Sequence, residues 1–98
     1  AYCTSKGAVN MFTKQLACEW GKYGITCNAI APTYVRTNIN KDQLDDPEFR
    51  KYLVDRIPLC RIGKLEDISA AALYFSSDLA SFVTGQVLCV DGGLTSRQ

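Results

Sequence analysis

The stretch Ile25-Thr-Cys-Asn-Ala-Ile-Ala-Pro32 (ITCNAIAP) is short, uncharged and mostly apolar. It starts after Gly24 and ends on a proline, with the length and bounds of a buried strand. A second run of this kind lies in Phe82-Val-Thr-Gly-Gln-Val-Leu-Cys-Val-Asp-Gly-Gly93. It predicts a turn at Thr84-Gly85, a strand over Gln86–Val90 and a glycine stop.

The segments around these runs read as helices and one loop. Residues 2–20 contain no proline, and Val9, Phe12, Leu16 and Trp20 recur at helical spacing. Ala8, Met11 and Ala17 widen that stripe, so this helix is expected to touch protein on more than one side. Gly21 and Gly24 end it. Residues 33–44 (TYVRTNINKDQL) are polar and irregular and predict a loop. Residues 45–57 predict a helix with Asp46 as N-cap and Pro47 at the first helical position. Phe49, Leu53 and Ile57 line one face of it, and Pro58 ends it. Residues 65–78 predict a further helix, with Glu66 and Asp67 at its positive end. Its contact face is Ile68, Ala71, Ala72 and Phe75.

Two buried-type strands joined through helices imply an α/β fold with a parallel pair and a right-handed crossover. A two-stranded parallel sheet leaves an open edge and an apolar face, so further strands are expected before Ala1.

Composition bounds the function. The 98 residues allow one domain at most or a piece of one, and 47% hydrophobic content marks a globular chain. Eleven basic and ten acidic residues give a net charge of +1 with no basic block. Nucleic acid and anionic membranes are therefore not the expected partners. No run is long and apolar enough for a transmembrane helix. Five cysteines, none paired as CxxC, and no histidine leave no zinc pattern, and no metal site is expected. The cysteines read as small buried apolar residues in a reducing compartment, which points to the cytoplasm.

Tyr2 and Lys6 are four positions apart, one turn along the same helical face. A cation about 5 Å from a phenol, at an effective dielectric of roughly 20, stabilises the phenolate by ~3 kcal/mol. That is on the order of two pKa units, enough to bring proton transfer toward neutral pH. Alcohol–carbonyl interconversion needs such a group. Tyr–Lys pairs at this spacing are common by chance, so the pair alone is a weak signal. Asn28 and Pro32 stand at the end of the first strand, followed by Thr37 in a loop, and open α/β sheets bind ligands at such strand ends.

Together these residues resemble the short-chain dehydrogenase/reductase family over nearly the whole chain. The resemblance rests on Tyr2-x-x-x-Lys6, on Asn28-Ala-Ile-Ala-Pro32 with Val35 and Thr37, on Arg61-x-Gly63-x-x-Glu66-Asp67, and on residues 76–93. It implies the C-terminal part of a Rossmann-type doubly wound parallel sheet, its last two strands with their helices. Residues 1–98 would be the C-terminal part of a single NAD(P)-binding domain. Tyr2 would be the general acid/base. Lys6 would lower the Tyr2 pKa and hydrogen-bond the nicotinamide ribose. Pro32, Val35 and Thr37 would hold the nicotinamide end of NAD or NADP, Val35 through its backbone. Residues 37–58 would form a mobile substrate lid, and Val90-Asp-Gly-Gly93 would contact a neighbouring subunit in a homotetramer.

Two positions depart from the family pattern. Thr33 stands where the family usually has glycine, and Leu65 where it usually has proline. A side chain at Thr33, beside Tyr34, should shape the substrate side. This variant is similar to members acting on sugar acids and polyols, the gluconate 5-dehydrogenase-like group among them. The rival substrate is a 3-oxoacyl thioester. The family's Gly-rich phosphate loop, its serine before the tyrosine and its mid-fold asparagine have no counterpart in these residues. A non-catalytic fragment is thus the alternative to an enzyme acting on a small alcohol or ketone.

The other conspicuous residues carry bland expectations. Trp20 and Tyr23 should pack at a helix end. Tyr52 and Arg56 should be surface or substrate-side packing, and Asp42, Asp45 and Asp46 should be solvated.

Overall fold

A computed structural model describes the backbone of residues 2–96 and the side chains of residues 4–96. The order is α1 (Tyr2–Trp20), β1 (Ala29–Pro32), α2 (Lys41–Leu44), α3 (Pro47–Arg56), α4 (Leu65–Ser76) and β2 (Val87–Val90), with short 3-10 turns after α1, α4 and β2. β1 and β2 pair in parallel as a two-stranded sheet. The chain forms two compact units, one of residues 1–30 and 71–88, the other of residues 31–70 and 89–98.

In the first unit, α1 passes into a 3-10 turn over Gly21–Tyr23 and ends at Gly24. Gly24 has φ 75°, the left-handed conformation glycine adopts without a Cβ penalty, and its N–H donates to the Gly21 carbonyl. The buried side of α1 carries Thr13 and Ala17. Thr13 satisfies its hydroxyl on the Val9 carbonyl one turn back, at 2.8 Å. Ala17 packs against Gly85, where an added Cβ would lie 3.3 Å from the Ala17 Cβ.

The expected contact stripe is corrected here. Val9 is 51% and Phe12 62% exposed, and Trp20 and Tyr23 are exposed as well. Apolar spacing marks a face able to bury surface, but among the described residues of α1 the buried ones are Thr13 and Ala17, with Leu16 half-buried. Lys22 Nζ lies 5.1 Å from the Tyr23 ring centre, so a cation–π contact stands where helix-end packing was expected. On α4, Ala71 is buried and Ile68 and Phe75 half-buried, but Ala72 is exposed.

The strand expected over Ile25–Pro32 is shorter at its start, because residues 27 and 28 are committed to the 83–86 turn. The Cys27 N–H donates to Thr84 Oγ1 (2.9 Å) and the Cys27 carbonyl accepts from the Gly85 N–H (2.7 Å). Asn28 donates through Nδ2 to the Val83 carbonyl and accepts the Gln86 N–H on Oδ1, both at 3.0 Å. Asn28 therefore lies ahead of β1 rather than at its end. It clamps the approach to β2.

The second unit has a small core of Leu44, Leu53 and Ile62, with Phe49 and Val54 packed against it. α3 begins as its sequence predicts, with Pro47 at the first turn and Asp46 accepting the Glu48 N–H at 3.2 Å. Phe49, Leu53 and Ile57 all turn inward, Leu53 to 1% exposure. The segment expected as a plain loop contains α2, one turn of helix whose Leu44 is buried in this core. Burial of Leu44 fixes a turn too short to persist on its own. After β2, Asp91 accepts hydrogen bonds from the Gly93 and Thr95 N–H groups and from the Thr95 hydroxyl. Gly92 has φ 63°, and an added Cβ would lie 2.6 Å from Ile57 Cγ2. A side chain is excluded there twice over.

Cys60 is the one non-glycine residue among those described with a positive φ, 58°. The conformation costs an L-residue on the order of 1–2 kcal/mol, and this cysteine is exposed, its thiol in one long contact of 3.5 Å to the Pro58 carbonyl. Cys60→Gly should raise stability by about 1 kcal/mol. Chemical denaturation of the native polypeptide checks this, and a lower midpoint in the variant would contradict it.

Candidate active site

The segment that leaves β1 is built around one isolated bridge. Val35 pairs in parallel with Gly63. The Gly63 N–H donates to the Tyr34 carbonyl at 2.9 Å, and the Arg36 N–H reaches the Gly63 carbonyl at 3.4 Å. An added Cβ on Gly63 would sit 3.1 Å from Val35 Cγ2 and 3.4 Å from the Tyr34 carbonyl oxygen. Glycine is thus what lets the two backbones approach.

A charged fork braces the Gly63 side. Arg61 donates twice to Asp67, at 2.8 and 3.2 Å, and Asp67 Oδ2 also accepts the Lys64 N–H at 2.8 Å. The Arg61 guanidinium foremost, with the Lys64 N–H, holds the Asp67 carboxyl down at about 2. Arg61-x-Gly63-x-x-Glu66-Asp67 is therefore a structural unit that holds the bridge. Across the segment, Arg36 forks onto Asp45 at 3.0 and 2.9 Å. That hydrogen-bonded guanidinium lowers the Asp45 pKa and is itself raised. Asp45 is thus an ion-pair partner rather than only solvated, and Asp46 is an N-cap.

In a parallel bridge the groups of the flanking residues point at the partner strand, so Val35's own N–H and C=O project from the opposite edge. There the Val35 carbonyl accepts from Asn40 Nδ2 at 3.0 Å. Asn40 Oδ1 accepts from both the Thr37 N–H, at 2.7 Å, and the Thr37 hydroxyl, at 3.1 Å. Val35, Thr37 and Asn40 are half-buried. Pro32, Thr33 and Tyr34 are exposed on the same segment. Asn40 escapes a sequence reading because residues 33–44 read as an irregular polar loop, in which nothing marks an asparagine whose side chain turns back onto residues 35 and 37. These groups suit a primary carboxamide: the Val35 N–H can donate to its oxygen and the Thr37 hydroxyl can accept from its amino group.

Tyr2 and Lys6 lie in the first unit, on the unbroken helix α1. The Tyr2 side chain is outside the described residues. Arg56 stacks over Tyr52 with its guanidinium carbon 5.3 Å from the ring centre, and Tyr52 is exposed, so this pair is surface cation–π packing. Among the described residues no cluster of His, Cys, Asp or Glu could hold a metal ion. No helix among them is long and apolar enough to cross a membrane. Cys18, Cys27, Cys60 and Cys89 are free thiols, and they are not the buried residues expected: Cys18, Cys60 and Cys89 are exposed and Cys27 is half-buried.

A family model described as Enoyl-(Acyl carrier protein) reductase, a short-chain dehydrogenase/reductase model, matches residues 1–95. The chain is 42% identical over 94 residues to a tropinone reductase homologue of Arabidopsis thaliana, covering 96% of this chain and 36% of that protein. It is 44% identical over 94 residues to the gluconate 5-dehydrogenase of Gluconobacter oxydans, covering 96% and 37%. Among solved structures, a gluconate 5-dehydrogenase from Burkholderia cenocepacia in complex with NADP and tartrate superposes with a TM-score of 0.89 at 42% identity, covering 99% of this chain and 38% of that one. The chain belongs to the short-chain dehydrogenase/reductase family, and its two strands and helices are part of that family's Rossmann-type fold. It spans well under half the length of the curated relatives it matches.

Because the Asp67 carboxyl titrates lower in the folded protein than in the unfolded chain, its contribution to stability is complete above about pH 4 and is lost as the pH falls toward 2. Asp67→Asn should lower stability at neutral pH and flatten the loss between about pH 4 and 2. Denaturation midpoints against pH check this, and an acid limb as steep as the parent's would contradict it.

Proposed function

We propose that the protein carrying this chain transfers a hydride between NAD or NADP and a secondary alcohol or ketone, with a sugar acid or polyol as substrate. The observation that carries this reading is the hydrogen-bonding array at Val35, Thr37 and Asn40, which suits a carboxamide, in a chain matched by the family model over residues 1–95. The dinucleotide supplies or accepts the hydride when bound.

The rest is assigned to this chain's residues. Tyr2 gives its phenolic proton to the substrate oxygen in reduction and takes it back in oxidation. Lys6, one turn along α1, favours the phenolate and hydrogen-bonds the nicotinamide ribose. Pro32, Val35 and Thr37 hold the nicotinamide end, and Thr33 and Tyr34 shape the substrate side. The names of two relatives that specify gluconate support a sugar acid or polyol. The second reading is a 3-oxoacyl thioester, an acyl thioester like the enoyl substrate in the family model's description but reduced at a carbonyl rather than at a C=C bond. The same proposal takes the chain as the C-terminal part of a single NAD(P)-binding domain, in a cytoplasmic homotetramer.

Tyr2→Phe in the native polypeptide should lower kcat by about 10³-fold or more and leave dinucleotide affinity within about threefold. Turnover retained by that variant would remove Tyr2 from the chemistry. Gluconate-type sugars assayed beside acetoacetyl thioesters separate the two substrate readings.

A further inference from the structure

The orientation of the Asn40 amide is fixed by its neighbours. The Thr37 N–H can only donate and the Val35 carbonyl can only accept, so Oδ1 must face residue 37 and Nδ2 residue 35. The Thr37 hydroxyl, 3.1 Å from that Oδ1, must then be the donor of their hydrogen bond. Its proton is spent. What Thr37 Oγ1 still offers is lone pairs.

We infer that Asn40 is a positioning residue for the nicotinamide carboxamide. It fixes residues 35–37 from behind and turns the Thr37 hydroxyl into a pure acceptor, matched to the carboxamide amino group, while Val35 keeps its N–H for the carboxamide oxygen. This rests on the dinucleotide-binding reading above. A hydroxyl free to rotate would meet either end of a carboxamide. A hydroxyl held by Asn40 meets the amino end only. The consequence is selectivity for a carboxamide over a group of the same shape without an amino hydrogen.

The test compares NAD and NADP with their 3-acetylpyridine analogues, which keep the carbonyl but replace the amino group with methyl. Dissociation constants are measured by calorimetry on the native polypeptide and its variants. The parent should prefer the carboxamide form several-fold, up to about tenfold. Asn40→Ala should bring the two forms to within about twofold of each other. Asn40→Asp keeps an acceptor for the Thr37 hydroxyl and should keep the preference, even though its carboxylate faces the Val35 carbonyl and lowers stability. Equal weakening of both dinucleotides by Asn40→Ala, with the preference intact, would reduce Asn40 to a structural role and overturn the inference. If Asn40→Ala does not fold, Asn40→Asp decides, and loss of the preference there overturns it. A parent that binds both forms equally refutes the inference but not the dinucleotide reading. A parent that binds none of the four refutes both.

Discussion

The bridge between Val35 and Gly63 is the constraint on which the candidate site depends. It joins the segment after β1 to the residues leading into α4, and the close approach exists because residue 63 has no Cβ. Everything around it serves the same geometry. Arg61 and Asp67 fix the Gly63 side. Arg36 and Asp45 tie the segment to the end of α2. Exposed pairs of this kind are worth little singly. These two are forked, which adds direction to their modest energy. With Tyr34 and Arg36 turned toward Gly63, Val35 must present its own polar groups on the other edge, and Asn40 then takes the carbonyl.

The second unit thus holds a short segment whose hydrogen-bonding groups are assigned one by one. That is the kind of preorganisation a cofactor amide needs, because a loop that had to order on binding would cost affinity. The first unit contributes the long helix α1 and a clamped turn in which Cys27 donates to Thr84 while Asn28 donates to the Val83 carbonyl and accepts the Gln86 N–H. Val9, Phe12, Leu79 and Phe82 of this unit are exposed apolar side chains.

The legible parts of the fold were those set by local chemistry. Asp46-Pro47 announces α3, because an N-cap acceptor and a fixed φ act within a few residues. Gly24 announces the end of α1 for the same reason. Of the buried face of α1, Ala17 was legible and Thr13 was not. Periodicity reports which side is apolar, and the cover is supplied from far along the chain, at Gly85. The start of β1 was lost to Asn28, whose amide serves residues more than fifty positions away. In the site, the family motifs pointed to residues 32–37 and to Arg61, Gly63 and Asp67, but not to what these residues bind. Asn40 is one polar residue in a stretch that reads as loop, and Arg61 and Asp67 are six apart, a spacing that no helix or strand rule pairs.

The most direct measurement is a crystal structure of the native polypeptide with NADP bound. The account predicts the carboxamide oxygen within hydrogen-bond distance of the Val35 N–H and the amino nitrogen within reach of Thr37 Oγ1, with the Asn40 contacts to residues 35 and 37 retained. A nicotinamide seated away from residues 35–37, or an Asn40 side chain released from Thr37 when the dinucleotide binds, would contradict it.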